Sequence, residues 1–221
     1  MSSDDSIAIG EKARLSDSAE ATVAERTLDA SVKTRLFQAL EQLLGDHHPD
    51  AISLREIARS AGVSHGLPGY YFGDRAGLLT AYAAEGYALL AERVEAAAAI
   101  AKTPAETMAG IGVAYIDFSE ERSTHFSVMF QSHEVDADDP TLKLHADRCY
   151  NPFLKSMDTY FAAHPERRAR QGVVTVGAWA IVHGAAMLAR GPRLKQRVPP
   201  HLLRPLFVEM CRTYATTNMP E

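Results

Sequence analysis

Cysteine is scarce: the 221-residue chain holds only Cys149 and Cys211, far apart and not in a C-x-x-C pair. That excludes a disulfide framework and a cysteine-rich metal fold, and suits two free thiols in a reducing compartment. No apolar run approaches the ~18 residues that a membrane span needs. The opening stretch, MSSDDSIAIGEK, lacks both the basic leader and the apolar core of a secretory signal. A cytoplasmic protein without a membrane partner is the expectation. Enzyme signatures are missing too: there is no H-E-x-x-H, G-x-x-x-x-G-K-[ST] or paired E-x-x-H motif. The nine histidines are scattered, and His47-His48 has no Cys or carboxylate partner at ligand spacing. Neither a catalytic group, a metal nor a cofactor is implied. The acidic run His133, Glu134, Asp136, Asp138 and Asp139 reads as a solvated loop rather than a cation site. No segment alternates like a strand, so the fold class is all-α.

Positive charge is also lacking. The net charge is −5, and between Thr27 and Thr80 five cations (Lys33, Arg35, Arg55, Arg59, Arg75) face six anions. A single copy would therefore hold a polyanion poorly, whereas two copies on one site would double the contacts.

What is present is a sharply punctuated run from Ser53 to Leu79, SLREIARSAGVSHGLPGYYFGDRAGLL. Ser53 with Glu56 three residues on forms a capping box, and Leu54, Ile57, Ala58 and Ala61 place an apolar face at helical spacing. Gly62 closes that helix in the left-handed region, and Ser64 is suited to cap the next one, over about Ser64 to Phe72. Two short helices around a tight turn make a helix-turn-helix over residues 53–72, whose second helix reads the DNA major groove. His65 and Leu67 lie near the start of that helix, where Leu67 offers apolar contact to thymine methyls and Gly66 allows close approach. The helix contains no Lys, Arg, Asn or Gln, so direct readout is modest and DNA shape or bridging water carries much of the specificity. Lys33, Arg55 and Arg75 supply charge, while Tyr70 and Tyr71 can donate to phosphates. One of the two tyrosines is expected to pack within the small domain instead.

The segment resembles the helix-turn-helix of TetR/AcrR-type bacterial transcriptional regulators, most closely those reading A-G-V-S-H-G-x-P-Y-x-H-F-G-D-K. Ala61, Gly62, Val63, Ser64, His65, Gly66, Pro68, Phe72, Gly73 and Asp74 match; Arg75 replaces the usual lysine, and Gly69 stands where an aromatic residue is usual. Trp179 to Leu188, WAIVHGAAML, is similar to the C-terminal domain of a subgroup marked by Trp-x-x-x-His-Gly.

Along the rest of the chain, residues 1–26 are polar and acidic and read as a poorly ordered tail. Residues 27–74 form the DNA-binding domain and 75–221 a second domain. A first helix is expected from about Ser31 to Asp46, ended by His47-His48-Pro49-Asp50 with His48 in the left-handed conformation. A fourth runs from Arg75 to about Ala101, with Gly73, Gly77 and Gly86 as places where it could bend, although a glycine often marks only close packing. Thr103-Pro104-Ala105-Glu106 starts another helix. Further helices are expected over about Thr141–His164, from His164 to Arg190, and over His201–Thr216, with a basic loop between Gly191 and Pro200. About nine helices result.

For the second domain, the resemblance implies an effector pocket and a dimer made by the last two helices. Candidate lining residues are Tyr115, Phe118, Phe126, Met129, Phe130, Cys149, Phe153, Trp179 and His183, although most of these positions would equally serve as core. Trp179 and His183 share a helical face, and Gly184 would let another helix approach. The function implied is a ligand-responsive regulator acting as a homodimer on a palindromic double-stranded DNA operator, a repressor released by a small hydrophobic or aromatic effector, in the cytoplasm and at the nucleoid when bound. The alternatives are a TetR-like ligand-binding module with weakened DNA binding, or an all-α enzyme.

Overall fold

The computed structural model describes residues 29–45 and 48–220, so the tail expected over residues 1–26 lies outside the described residues. Among the described residues there are ten α-helices, two short 3-10 segments and no strand. The helices are α1 (29–44), α2 (Leu54–Ser60), α3 (Leu67–Phe72), α4 (Arg75–Ile100), α5 (Pro104–Glu121), α6 (Ser123–Gln131), α7 (Pro140–Ala163), α8 (Gln171–Arg190), α9 (Pro192–Lys195) and α10 (Pro200–Asn218). α6 and α9 separate segments that the sequence pattern left joined or irregular. The 3-10 segment Pro165–Arg170 leads straight into α8, where the sequence suggested one continuous helix.

Two compact units emerge. One combines α1 with Ile52–Tyr71; the other holds His48–Ala51 and everything from Phe72 onward. The turn between α1 and α2 thus belongs to the second unit.

In the first unit α1 buries Val32, Leu36, Phe37, Leu40 and Leu44, and α2 buries Ile57 and Ala58. α1 ends earlier than expected, because Gly45 takes φ +41 and supplies the left-handed residue. His48 is not left-handed; no described residue other than glycine has a positive φ. The capping box is present: the Ser53 N–H donates to Glu56 Oε2 at 2.9 Å, and the Glu56 N–H donates to Ser53 Oγ at 3.3 Å. At the other end of α2, Gly62 (φ +64) donates to Arg59 O at 3.2 Å and Val63 to Ala58 O at 3.0 Å. That paired bonding is a Schellman closure. Arg35 of α1 then donates to the carbonyls of Ala61 and Gly62 at 2.6 and 2.8 Å, fixing the turn from outside.

In the second unit α5 lies among α4, α7, α8 and α10, while α4 packs along α7. Arg148 of α7 reaches Glu95 of α4 with two bonds of 2.9 and 2.7 Å, and Arg204 of α10 reaches Asp117 of α5 likewise at 3.0 and 2.9 Å. Such exposed pairs orient helices more than they stabilise them. Two apolar clusters form the core beside the cavity-lining helices: Met157, Tyr160, Phe161 and Val174 with their neighbours, and Ile116, Ala185, Leu203 and Phe207 with theirs.

Gly77 and Gly86 of α4 are closely packed: Gly77 abuts the backbone of Phe72, and a Cβ on Gly86 would lie 2.6 Å from Met129 Sδ. Gly184 faces open space, whereas the close helix approach occurs at Gly177, against the Tyr214 hydroxyl. α8 has a second peculiarity. The helical segment Pro165–Arg190 contains an 18-residue window of mean hydropathy 1.7, long and apolar enough to cross a membrane by length and composition, which corrects the expectation that no apolar run approaches that length. One such helix is weak evidence for a span, because the same composition suits a helix packed on several sides. Here Val174, Ala178, Ala185, Ala186 and Ala189 are buried, while Val173, Val176, Met187 and Leu188 are exposed. α10 is divided similarly, with Leu203 and Phe207 buried and Leu202 and Leu206 exposed.

Candidate functional site

The helix-turn-helix presents an exposed edge. Regular α3 begins at Leu67 rather than Ser64; Ser64 instead accepts from the Leu67 N–H at 3.1 Å, a tight turn that leads into the helix. Ser64, His65 and Gly66 are exposed on that turn, Leu67 is half-buried and Pro68 is buried. The two tyrosines part company. Tyr70 is 82% exposed, whereas the Tyr71 hydroxyl donates to Asp29 Oδ1 of α1 at 2.5 Å. Tyr71 therefore ties α3 to α1, and Tyr70 is the one that stands in solvent. A side chain at Gly69 would meet nothing within 4 Å, so packing does not demand glycine there. Lys33 and Arg55 are exposed, with Lys33 Nζ 5.1 Å from the centre of the Phe37 ring.

Arg75 is a correction. Its Nε donates to Glu134 Oε2 at 2.8 Å, its Nη2 to Glu134 Oε1, and its Nη1 to the Asp50 carbonyl at 2.8 Å. A guanidinium forked onto a carboxylate is neutralised and held inward, so it supplies no free charge for DNA. Asp50 completes the joint: it accepts from the Ser132 hydroxyl at 2.6 Å and from the His133 N–H at 3.2 Å. These bonds keep its carboxyl below its ordinary pKa, outweighing the burial that acts the other way. The acidic run after α6 is used in the same way, with Glu134 on Arg75, Asp138 on Lys143 and Asp139 capping α7.

Inside the second unit lies a cavity of about 470 Å³, bounded by α4, α5, α6, α7, α8 and α10. Tyr115, Phe130, Cys149, Phe153 and Trp179 line it, as the sequence suggested. Phe118, Phe126, Met129 and His183 do not. Phe118 is fully buried with the Arg93 guanidinium 5.5 Å from its ring centre, and Met129 fills the space beside Gly86. Phe126 is fully buried behind the wall, 4.7 Å from Phe130 and 5.6 Å from Tyr115 between ring centres. His183 also stands one layer back, where its Nδ1 meets the Tyr115 hydroxyl at 2.8 Å. Burial lowers the pKa of His183, so the imidazole is neutral at physiological pH. The sequence reading missed Tyr87 and Tyr150. The signal for Tyr87 was its place on the Tyr87–Leu90–Val94 stripe of α4; Tyr150 gave none beyond following Cys149.

Both thiols border the cavity, and burial pushes them up, Cys149 to about 12 and Cys211 to about 11. Cys149 also donates to the Tyr87 carbonyl at 3.2 Å. Neither is a nucleophile near neutrality, since the thiolate is the reactive form. Iodoacetamide at pH 8 is therefore expected to label both cysteines at least about tenfold more slowly in the native protein than in urea, read by intact mass. The sign for stability follows. A thiol whose folded pKa is raised contributes fully below its unfolded value near 9, and that contribution is lost as pH rises toward 11 and 12.

Residues 36–82 match the family described as bacterial regulatory proteins, tetR family, and residues 108–214 match a tetracyclin repressor-like C-terminal domain. The chain belongs to the TetR family. It is a TetR-type transcriptional regulator with a ligand-binding C-terminal domain. Solved structures agree on the fold. A protein of unknown function from Rhodococcus sp. RHA1 is 24% identical, with 84% of this chain and 94% of that one covered and a TM-score of 0.60. The TetR-family regulator PfmR of Thermus thermophilus is 16% identical, with 84% and 96% covered and a TM-score of 0.62. The TetR-like regulator LfrR of Mycobacterium smegmatis, solved with proflavine, is 17% identical, with 86% and 98% covered and a TM-score of 0.54. No curated protein matches the chain.

Proposed function

We propose that this TetR-family chain is a one-component repressor: a homodimer that holds a palindromic operator through Ser64, His65, Leu67 and Tyr70 and is released by a small apolar or aromatic effector. The observation that carries this reading is the pairing, in one chain, of an exposed helix-turn-helix edge with an apolar cavity of about 470 Å³. Dimerisation is supported by the exposed apolar residues of α8 and α10, where Val173, Val176, Leu188 and Leu206 are 73, 65, 56 and 53% exposed. Several large apolar side chains left exposed on two helices commonly mark an interface. Two heads on one operator, with half-sites ~34–36 Å apart, also offset the weak positive charge of each. Lys33 and Arg55 serve the backbone contacts, and Tyr71 serves by holding α3 on α1. Cytoplasmic residence goes with this role.

The test is a mobility shift on DNA flanking the protein's own gene. Tyr70→Ala should weaken sequence-specific retention roughly tenfold or more, the scale of losing a hydrogen bond to a charged group. Its thermal midpoint should not move, because the side chain stands in solvent. The five-to-six charge deficit of residues 27–80 favours a second reading, a ligand-binding module with weakened DNA binding. No shift at low salt, with ligand binding intact, would select that module.

A further inference from the structure

The cavity's lining contains no Lys, Arg, His, Asp or Glu. A charged group entering it would give up its hydration without meeting a counter-charge, a cost that buried ions recover only through close pairing. Among the polar groups that line it, besides Thr175, Cys211 and the Trp179 indole, two sets stand out. The first set is spoken for: Tyr115 OH meets His183 Nδ1 at 2.8 Å, Tyr214 OH donates to the Val174 carbonyl at 3.2 Å, and Cys149 donates to the Tyr87 carbonyl. In the second set, the hydroxyls of Tyr87 and Tyr150 have no hydrogen-bond partner among the described residues, although both rings are held. Tyr87 stands edge-on to Phe130 at 6.0 Å, and Tyr150 edge-on to Trp179 at 5.9 Å. Fixed rings with unpartnered hydroxyls in an apolar chamber are donors awaiting an acceptor.

We infer that the cavity takes an uncharged aromatic compound bearing a carbonyl, ester, lactone or ether oxygen, which accepts a hydrogen bond from Tyr87 or Tyr150, and that it rejects carboxylates and cations. This deepens the effector-binding reading of the same site and rests on it. Burial raises the pKa values of Tyr87, Tyr115 and Tyr150, so these phenols stay protonated and can donate at any physiological pH. Seven of the twenty lining residues are aromatic, which favours a ring over a flexible chain by offering edge and face contacts.

Three probes of nearly one shape separate the terms: 2-acetonaphthone, 2-naphthoate and 2-ethylnaphthalene, each titrated by calorimetry into the full-length, DNA-free protein. The ketone should bind saturably. The hydrocarbon should bind about 3–10-fold more weakly, the worth of one net hydrogen bond. The carboxylate should bind at least about tenfold more weakly than the ketone, because its charge must be desolvated. In a Tyr87→Phe/Tyr150→Phe variant the ketone and the hydrocarbon should bind within about twofold of each other, since only the donors have gone. The inference is overturned by a carboxylate that matches the ketone, by a ketone preference that survives the double variant, or by the absence of saturable binding for all three. DNA plays no part in these titrations. A failed mobility shift with this ranking intact would remove the operator reading and leave the ligand class standing.

Discussion

Replacing Gly77 with alanine is expected to destabilise the protein by about 2–4 kcal/mol, lowering its denaturation midpoint far more than an ordinary helix glycine would. The cause is a collision with backbone. α3 ends at Phe72, Gly73 turns the chain with φ +78, and α4 is capped by Asp74, whose Oδ1 accepts from the Gly77 N–H at 2.9 Å. The Phe72 carbonyl oxygen also accepts from the Asp74 N–H at 3.0 Å, so the turn folds directly over the first residues of α4. A methyl group on Gly77 would fall inside that carbonyl oxygen and lie 3.1 Å from its carbon. A crowded side chain can change rotamer; a hydrogen-bonded peptide group must move as a unit, taking the end of α3 with it. Gly172→Ala is the control, since a side chain there meets nothing within 4 Å and alanine improves helix propensity. Equal midpoints for the two variants in urea would show that the turn relaxes freely and that the packing argument is wrong.

What the sequence could reveal here was set by distance along the chain. The Ser53–Glu56 capping box and the Gly62 closure each involve residues within five positions of one another, so residue type and spacing contain all the information. Arg35 reaches Ala61 across 26 positions, and Arg75 reaches Glu134 across 59. Neither link leaves a local signature, and Arg75 in particular was read as a phosphate contact because its neighbours matched a DNA-binding motif. The tyrosine pair shows the same limit at closer range. Tyr70 and Tyr71 are equivalent in the pattern, and it is a contact such as that with the Asp29 carboxylate, 42 positions from Tyr71, that distinguishes them. For the cavity, aromatic content was legible but depth was not. Tyr115, Phe126 and Phe130 all sit on apolar helix faces, and a helical period cannot tell the layer that borders an empty space from the layer behind it. The same blindness hid Tyr87 and Tyr150, whose phenols look like ordinary core until the missing hydrogen-bond partners are seen.

Phe126→Ala puts that distinction between layers to a second large-effect test, with an expected loss of about 3–5 kcal/mol. The ring is fully buried on α6 and supports three groups at once: Phe130 at 4.7 Å, Tyr115 at 5.6 Å and His183 at 5.8 Å between ring centres. The Arg190 guanidinium lies 5.1 Å from the same ring, with its Nη1 buried and without a hydrogen-bond partner among the described residues. Burial holds its pKa below the usual value for arginine. Truncation would therefore open a void and also strip a poorly solvated cation of its π face, two penalties that act together. Phe153→Ala, on the cavity wall and only partly buried, should cost less stability and act mainly on the affinity for 2-acetonaphthone. Urea denaturation and calorimetric titration on both variants separate the roles. If Phe126→Ala kept its denaturation midpoint and lost only ligand affinity, the ring would belong to the wall after all. Should its stability collapse while the Phe153 variant stays folded and binds weakly, Phe126 is the support on which the wall of Tyr115 and Phe130 is built.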